Sequence, residues 1–363
     1  MRVAIAHDYL TQPGGAERVV LAMLRAFPDA RLVTSVYDPT GTFPEFARYR
    51  IETSPLQRVG VLRRDPRRAL PLLARTWSST RIEDVDVVLA SSSGWAHGVR
   101  SSAPVVVYCH NPARWLYQRE DYLDGQPGFV RPALRVLTPA LRRWDVAAAR
   151  RASAYLANSA TVARRVRDAY GIEAQVLHPP VTVDPTAAQQ AVAGLQPGFL
   201  LCVARGRGYK NVALVREAVE TLLPHERLVV VGDADPGERT TVLGRVSDAE
   251  LRWLYAHAGA LVSLAREDFG LTPLEANAFG TPALLLRSGG FLETLDEGVS
   301  GLFVVDGSAP TVAAAVERFR SRSWDVEAIR AHASRFGERP FAGSLTAALA
   351  HAVTRDHRQM DLH

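Results

Sequence analysis

Residues 265–282 read AREDFGLTPLEANAFGTP and follow directly on the apolar run Ala260–Leu264. Pro273 suits the first turn of a helix, where a missing N–H costs nothing, and Leu274–Phe279 continue a helical pattern that Gly280 and Pro282 stop. The stretch therefore predicts a strand, a loop and a helix, with Glu267 in the loop and Glu275 in the first helical turn. Phe269, Gly270 and Leu271 form the apolar link between the two acids. Both carboxylates then face one cavity, beside backbone N–H groups that favour anions. A plainer reading makes Glu275 a complement to the helix dipole and Glu267 a solvated loop acid.

Working outward, the same alternation of strand and helix recurs along the chain. Val3–Ala6, Arg31–Tyr37, Val85–Ala90, Val105–Tyr108 and Ala154–Ala157 read as strands in the first half. Leu200–Val203, Leu228–Val231, Ala260–Leu264, Ala283–Leu286 and Gly301–Val304 do so in the second. Near-continuous apolar runs separated by helical patterns imply parallel sheets covered on both faces. A proline-rich break at 180–197 (Pro179, Pro180, Pro185, Pro197) marks a linker. The expectation is an α/β chain of two Rossmann-like doubly wound domains facing a central cleft. The first covers 1–182 and the second 183–344, and a helix near 345–357 packs back on the first.

Composition sets the broad class. The 363 residues are long enough for two cores, and 47% hydrophobic with 22% charged residues describes a folded globular chain. No run approaches a membrane-spanning length, and MRVAIAHDYL reads as a first strand without a signal peptide's apolar core, so a cytoplasmic chain is expected. Cys109 and Cys202, the two cysteines, fall in strand-like runs and read as buried thiols. The net charge of +5 is uneven. Residues 1–184 carry 25 arginines against 17 acids, and the remainder 18 basic against 21 acidic residues. Basic clusters at Arg63, Arg64, Arg67, Arg68 and at Arg142, Arg143, Arg150, Arg151 allow peripheral contact with the inner face of a membrane, or are simply solvated. No nucleic-acid module accompanies them, so no nucleic-acid partner is expected. Lys210 is the single lysine among 43 basic residues.

Four further stretches place chemistry at strand ends. Gly14-Gly15-Ala16-Glu17-Arg18 opens the first helix, where glycines let the backbone approach a ligand, although it is neither a dinucleotide fingerprint nor a P-loop. His110 ends the strand VVVYC before a proline-containing loop, where α/β proteins bind ligands; a lone histidine also serves as a structural hydrogen bonder. Arg205 and Lys210 share the glycine-rich turn ARGRGYKN between a strand and a helix, two cations suited to a diphosphate. Asn158-Ser159 precedes a helix, where Ser159 serves as an N-cap. Asp233-Ala234-Asp235 spells a metal-binding pattern, but no other ligand cluster joins it and a glycine turn also uses aspartate, so no metal and no cofactor is expected.

Together GGAERVV (14–20), CHNPARWLY (109–117), ANSATVARRV (157–166), LHPPV (177–181), the Arg205–Lys210 pair, EDFGLTPLEANAFGTP (267–282) and Gly289, Gly290 and Glu293 resemble the retaining GT-B glycosyltransferases of group 1, family 4. That large family includes glycogen synthase-like enzymes and bacterial mannosyl- and glucosyltransferases. The block at 267–276 with the upstream Arg/Lys pair is specific; GGAER alone is not. RRWDVAAARRASAYLANS (142–159) and CHNPARWLY look most like GDP-mannose-type transferases for surface polysaccharide. HNPARWLYQ departs from that group, which carries histidine–threonine–proline and ends on tryptophan–aspartate, so the base stays open between GDP and UDP.

The resemblance implies a metal-independent, retaining hexosyltransferase, mannose favoured, that acts in polysaccharide or glycoconjugate synthesis. The acceptor would be a glycan, a lipid-linked or a small molecule. Arg205 and Lys210 would hold the diphosphate, Glu275 the ribose and Glu267 the sugar hydroxyls, with Phe269, Gly270 and Leu271 lining the donor. His110 would face the transferring sugar, and Gly14 and Gly15 the diphosphate and acceptor side. A nucleotide-sugar epimerase, a UDP-glucose-type transferase acting on a natural product and a binding protein with a dead site are the alternatives; intact Arg205, Lys210, Glu267 and Glu275 argue against the last.

Overall fold

The computed structural model describes residues 1–64, 70–118, 130–204 and 211–360. The chain forms two compact units, Met1–Pro179 with Arg339–His363, and Pro180–Glu338.

The first unit holds seven strands: β1 Val3–His7, β2 Arg31–Thr34, β3 Ile51–Thr53, β4 Val87–Ser92, β5 Val105–Cys109, β6 Ala154–Ala157 and β7 Gln175–Val176. Their order is β3-β2-β1-β4-β5-β6-β7, and every pairing is parallel. Successive residues enter opposite layers, because strand side chains alternate. Ala4, Ala6, Val88, Ala90, Val105 and Val107 face one core, and Val3, Ile5, Val87, Leu89, Val106 and Tyr108 the other. Two buried faces explain why these strands read as unbroken apolar runs.

The helix Glu338–Met360 belongs to this unit, sending Phe341, Leu345, Leu349 and Ala352 into the second of those cores. Spacings of four, four and three keep them on one helical stripe. The helix begins seven residues before Leu345. Pro340 stands at its third position, where an N–H has no intrahelical partner, so a residue that looks like a breaker is tolerated.

The second unit holds β8 Leu200–Ala204, β9 Leu228–Gly232, β10 Thr240–Gly244, β11 Ala260–Ser263, β12 Ala283–Leu286 and β13 Gly301–Val304. Their order is β10-β9-β8-β11-β12-β13, again all parallel. Leu200, Cys202, Val230, Val262 and Leu284 face one core, and Leu201, Val229, Leu261, Ala283 and Leu285 the other. Both sheets reverse their strand order about their first strand, the doubly wound Rossmann-like topology. Both cysteines are buried and unpaired with each other, and burial pushes the Cys202 thiol up to about 12.

Three strands stand outside the sequence expectation: β3, β7 and β10. Each lies at the edge of its sheet. An edge strand has one neighbour and keeps polar, exposed positions, so Ile51–Thr53 and Gln175–Val176 lack the apolar run that marks the interior strands.

Candidate functional site

In an open parallel sheet, ligands bind outside the carboxyl ends of the strands, where the strand order reverses. In the second unit that point lies between β8 and β11. The segment carrying Arg205 and Lys210 follows β8 and lies outside the described residues. Asn211, the next described residue, adopts a left-handed φ of 51° and donates its Nδ2 to the Leu264 carbonyl at 3.0 Å. The helix Val212–Thr221 therefore starts tied to the end of β11.

Glu267, Asp268, Phe269 and Gly270 leave β11 and meet the loop that leaves β12 backbone to backbone. Gly290 N–H donates to the Glu267 carbonyl at 2.9 Å. A Cβ on Gly289 would stand 2.5 Å from the Glu267 carbonyl oxygen, and one on Gly290 would stand 2.5 Å from the Asp268 and Phe269 oxygens. Gly270 holds φ at +93°, a conformation that favours glycine, and a Cβ there would strike the Phe291 ring. These glycines hold the acidic loop in place by having no side chains.

The helix that follows is Leu271–Ala278, so Glu275 is its fifth residue and sits in the second turn, not the first. The reason is Gly270, which already ends the loop and lets the helix begin two residues before Pro273. A macrodipole effect fades beyond the first turn, which weakens the reading of Glu275 as a dipole complement. Its carboxylate is instead held from a neighbouring helix: the Tyr255 hydroxyl donates to Glu275 Oε2 at 2.8 Å. Tyr255 is itself buried, on the helix Asp248–His257. At the other end, Asn277 Nδ2 donates to the carbonyls of Thr281 and Ser300 at 2.9 and 3.2 Å, and Gly280 turns the chain at φ +87°.

In the first unit the reversal lies between β1 and β4, and the strand ends carry buried polar side chains. His7 closes β1, Ser91 and Ser92 close β4, and His110 follows β5. His7 Nδ1 stands 3.0 Å from Ser91 Oγ and 3.2 Å from the Ser91 carbonyl oxygen. Ser91 Oγ stands 2.8 Å from His110 Nε2. Burial lowers His7 to about 4, against the Ser91 carbonyl, which raises it. Burial, and then the nearby His7, lower His110 to about 3. Both rings are neutral at pH 7.

Ser92, on the other face of β4, begins a second chain. Its Oγ lies 3.0 Å from His97 Nδ1, His97 Nε2 lies 3.1 Å from Asp145 Oδ1 without forming a hydrogen bond, and the Tyr117 hydroxyl donates to Asp145 Oδ2 at 2.8 Å. Asp8 accepts the amides of Ser93, Trp95 and Ala96 at 2.6, 3.1 and 2.6 Å. Burial raises its carboxyl pKa, while those amides and His97 pull it down. Trp95 stacks on Trp115 with centroids 4.6 Å apart, so the loops after β4 and β5 pack as one surface.

Other expected residues fall as follows. Gly14 caps the helix Gly15–Ala26 with an ordinary φ of −107°, and a Cβ there would strike the Glu17 carboxylate. Its missing side chain thus makes room for this chain's own Glu17. Ser159 is the N-cap of Ala160–Tyr170, accepting the Val162 amide at 3.1 Å, and Asn158 donates to the His110 carbonyl at 3.0 Å. Among the described residues no group of three or more His, Cys, Asp or Glu could hold a metal ion. Sequence reasoning missed His7, Ser91 and Tyr255. For the first two a signal existed: each ends an apolar strand run, as His110 does.

Comparison with known proteins follows the same division. Residues 13–185 match the family model "Glycosyltransferase Family 4", and residues 184–335 match "Glycosyl transferases group 1". The chain belongs to the group 1, family 4 glycosyltransferases. Among curated relatives, D-inositol 3-phosphate glycosyltransferase of Acidothermus cellulolyticus is 32% identical over 252 residues, 56% of this chain and 53% of that one. Its counterpart from Nocardiopsis dassonvillei is 28% identical over 266 residues, 63% and 60% of the two chains. The chain thus matches between half and two thirds of the length of these relatives. Among solved structures, Anabaena HepE in complex with UDP-glucose superposes with a TM-score of 0.68 at 18% identity, covering 96% of this chain and 100% of that one. The lipopolysaccharide outer core galactosyltransferase WaaB gives 0.64 at 16%, covering 96% and 99%. At such identities the likeness establishes the fold, which is GT-B: two parallel, Rossmann-like α/β sheets.

Proposed function

We propose that this glycosyltransferase-family chain transfers a hexose, mannose favoured, from a nucleoside diphosphate sugar to a glycan, lipid-linked or small-molecule acceptor, with retention of configuration. The observation that carries the reading is the end of β11. There Glu267 is held by backbone contact with Gly289 and Gly290, and Glu275 is oriented by Tyr255. A carboxylate oriented by Tyr255 and a second one on a backbone-anchored loop suit the hydroxyl groups of a ribose and a hexose, Glu275 taking the first and Glu267 the second. Arg205 and Lys210, in the segment after β8, would balance charge developing on the departing diphosphate, a task that needs no metal ion. His110 would meet the transferring sugar. Phe269, Gly270 and Leu271 would line the donor, and Gly14 and Gly15 the diphosphate and acceptor side. The arginines of the first half would bring the chain to an anionic membrane surface on its cytoplasmic side; among the described residues no helix is long and apolar enough to cross a membrane.

The relatives named D-inositol 3-phosphate glycosyltransferase favour a second reading of the acceptor alone, a small phosphorylated polyol.

A panel of GDP- and UDP-sugars, each scored for thermal stabilisation of the chain and for hydrolysis with EDTA present, tests the proposal. One sugar nucleotide should both stabilise and be consumed without added metal. Stabilisation by none of the panel, or consumption only after Mg²⁺ or Mn²⁺ is restored, would contradict it.

A further inference from the structure

We propose that Ser91 and His7 are positioning residues that lock His110 in its Nδ1–H tautomer, so that the ring presents a neutral N–H donor to a sugar hydroxyl oxygen. This rests on the reading that His110 meets the transferring sugar. The direction of the protons follows from one contact. The Ser91 carbonyl is an acceptor only, and it lies 3.2 Å from His7 Nδ1, so that nitrogen carries the hydrogen. The same N–H also points at Ser91 Oγ, at 3.0 Å. The Ser91 hydroxyl has one hydrogen to place, and of its two ring neighbours His7 Nδ1 is already a donor, so the hydrogen goes to His110 Nε2, at 2.8 Å. His110 Nε2 is therefore an acceptor, and a neutral imidazole has its hydrogen on the other nitrogen.

That other nitrogen is the one left to meet a ligand. Among the described residues no side-chain or backbone group bonds to His110 Nδ1, and the residue keeps 9% of its surface exposed. The rest of the residue is fixed: its N–H donates to the Ser92 carbonyl at 2.9 Å, and its carbonyl accepts Asn158 Nδ2 at 3.0 Å. Tyr108 packs edge-on, with ring centroids 5.2 Å apart. Ser91 is completely buried and His7 nearly so, which keeps water from competing for either hydrogen bond. A ring arranged this way donates to oxygen and does not take up a proton, so His110 orients a hydroxyl and is no general base.

Long-range ¹H–¹⁵N correlation of the histidine rings in the full, unliganded chain tests the arrangement, with His110 assigned from the signal lost in His110→Gln. Wild type should show a single His110 tautomer, protonated on Nδ1. Ser91→Ala and His7→Leu should both mix the tautomers, while His7→Asn, whose amide nitrogen replaces Nδ1, should keep the wild-type form. A wild-type ring protonated on Nε2, or a Ser91→Ala ring indistinguishable from wild type, would overturn the proposal. With the donor found by the panel, Ser91→Ala should lower kcat about tenfold or more and leave the donor KM within about twofold. Wild-type kcat in that variant would also overturn it. A wild-type chain that shows the Nδ1–H ring and consumes no sugar nucleotide would contradict the transferase reading and leave the tautomer standing.

Discussion

The two sheets end in sites built by opposite means. In the second unit the strand-end loops approach backbone to backbone, with Gly270, Gly289 and Gly290 clearing the way for Glu267–Phe269. In the first unit the strand ends are joined by side chains, His7 to Ser91 to His110 on one face of β4 and Ser92 to His97 to Asp145 on the other. A site made of backbone contact tolerates no added atom. A site built on the buried imidazoles His7 and His110 resists an added proton. The two should therefore fail under different insults.

The largest effect is expected in the glycine-built site. In Gly290→Ala the new Cβ would press on the backbone of Asp268 and Phe269, which cannot give as a flexible side chain can. Such overpacking should cost about 3 kcal/mol or more and displace the Glu267 loop. Chemical denaturation checks it, and a variant as stable as wild type would show that the two loops are not in contact.

Acid should act on the other site. His7 and His110 titrate near 4 and near 3 in the folded chain, below the ordinary histidine value of 6.5. Below pH 6.5 the unfolded chain binds protons that the folded chain refuses, so stability is complete above 6.5 and falls as pH drops toward the folded values. By pH 5 the loss should be about 2 kcal/mol for each ring. Melting curves at pH 7 and pH 5 should show it, and His7→Leu should about halve the difference. An equal acid loss in that variant would put the sensitivity elsewhere.

Lys210→Ala should lower turnover at least about tenfold, the equivalent of roughly 1.4 kcal/mol of transition-state stabilisation, with the melting curve unchanged. The smallest effect is Tyr255→Phe, which removes one hydrogen bond to a half-buried carboxylate and should cost about 1 kcal/mol, read as a few-fold higher donor KM. An unchanged KM would mean that Tyr255 only fills space.

This contrast also explains what the sequence disclosed. Interior strands declare themselves because both faces are buried, whereas β3, β7 and β10 have a free edge and little apolar residue content to show. Glu267 and Glu275 stand in one continuous block with glycines beside them, so local spacing places them, to within the one-turn error that Gly270 causes. The site of the first unit is assembled from residues 7, 91 and 110, whose contacts exist only after β1, β4 and β5 pair. No local pattern encodes that meeting; only the habit of placing function at strand ends hints at it. Tyr255 was invisible for the same reason, since a tyrosine on a helix face reads as core until its hydroxyl is seen to reach Glu275.

The central claim is a division of labour: the second unit holds the nucleotide sugar, and the first acts on the sugar during transfer. Calorimetric titration of the sugar nucleotide selected by the panel into wild type, Glu275→Gln and Ser91→Ala tests it most directly. Glu275→Gln should weaken binding about tenfold or more, and Ser91→Ala should bind within about twofold of wild type while turning over slowly. Full-strength binding by Glu275→Gln together with lost binding by Ser91→Ala would contradict the account.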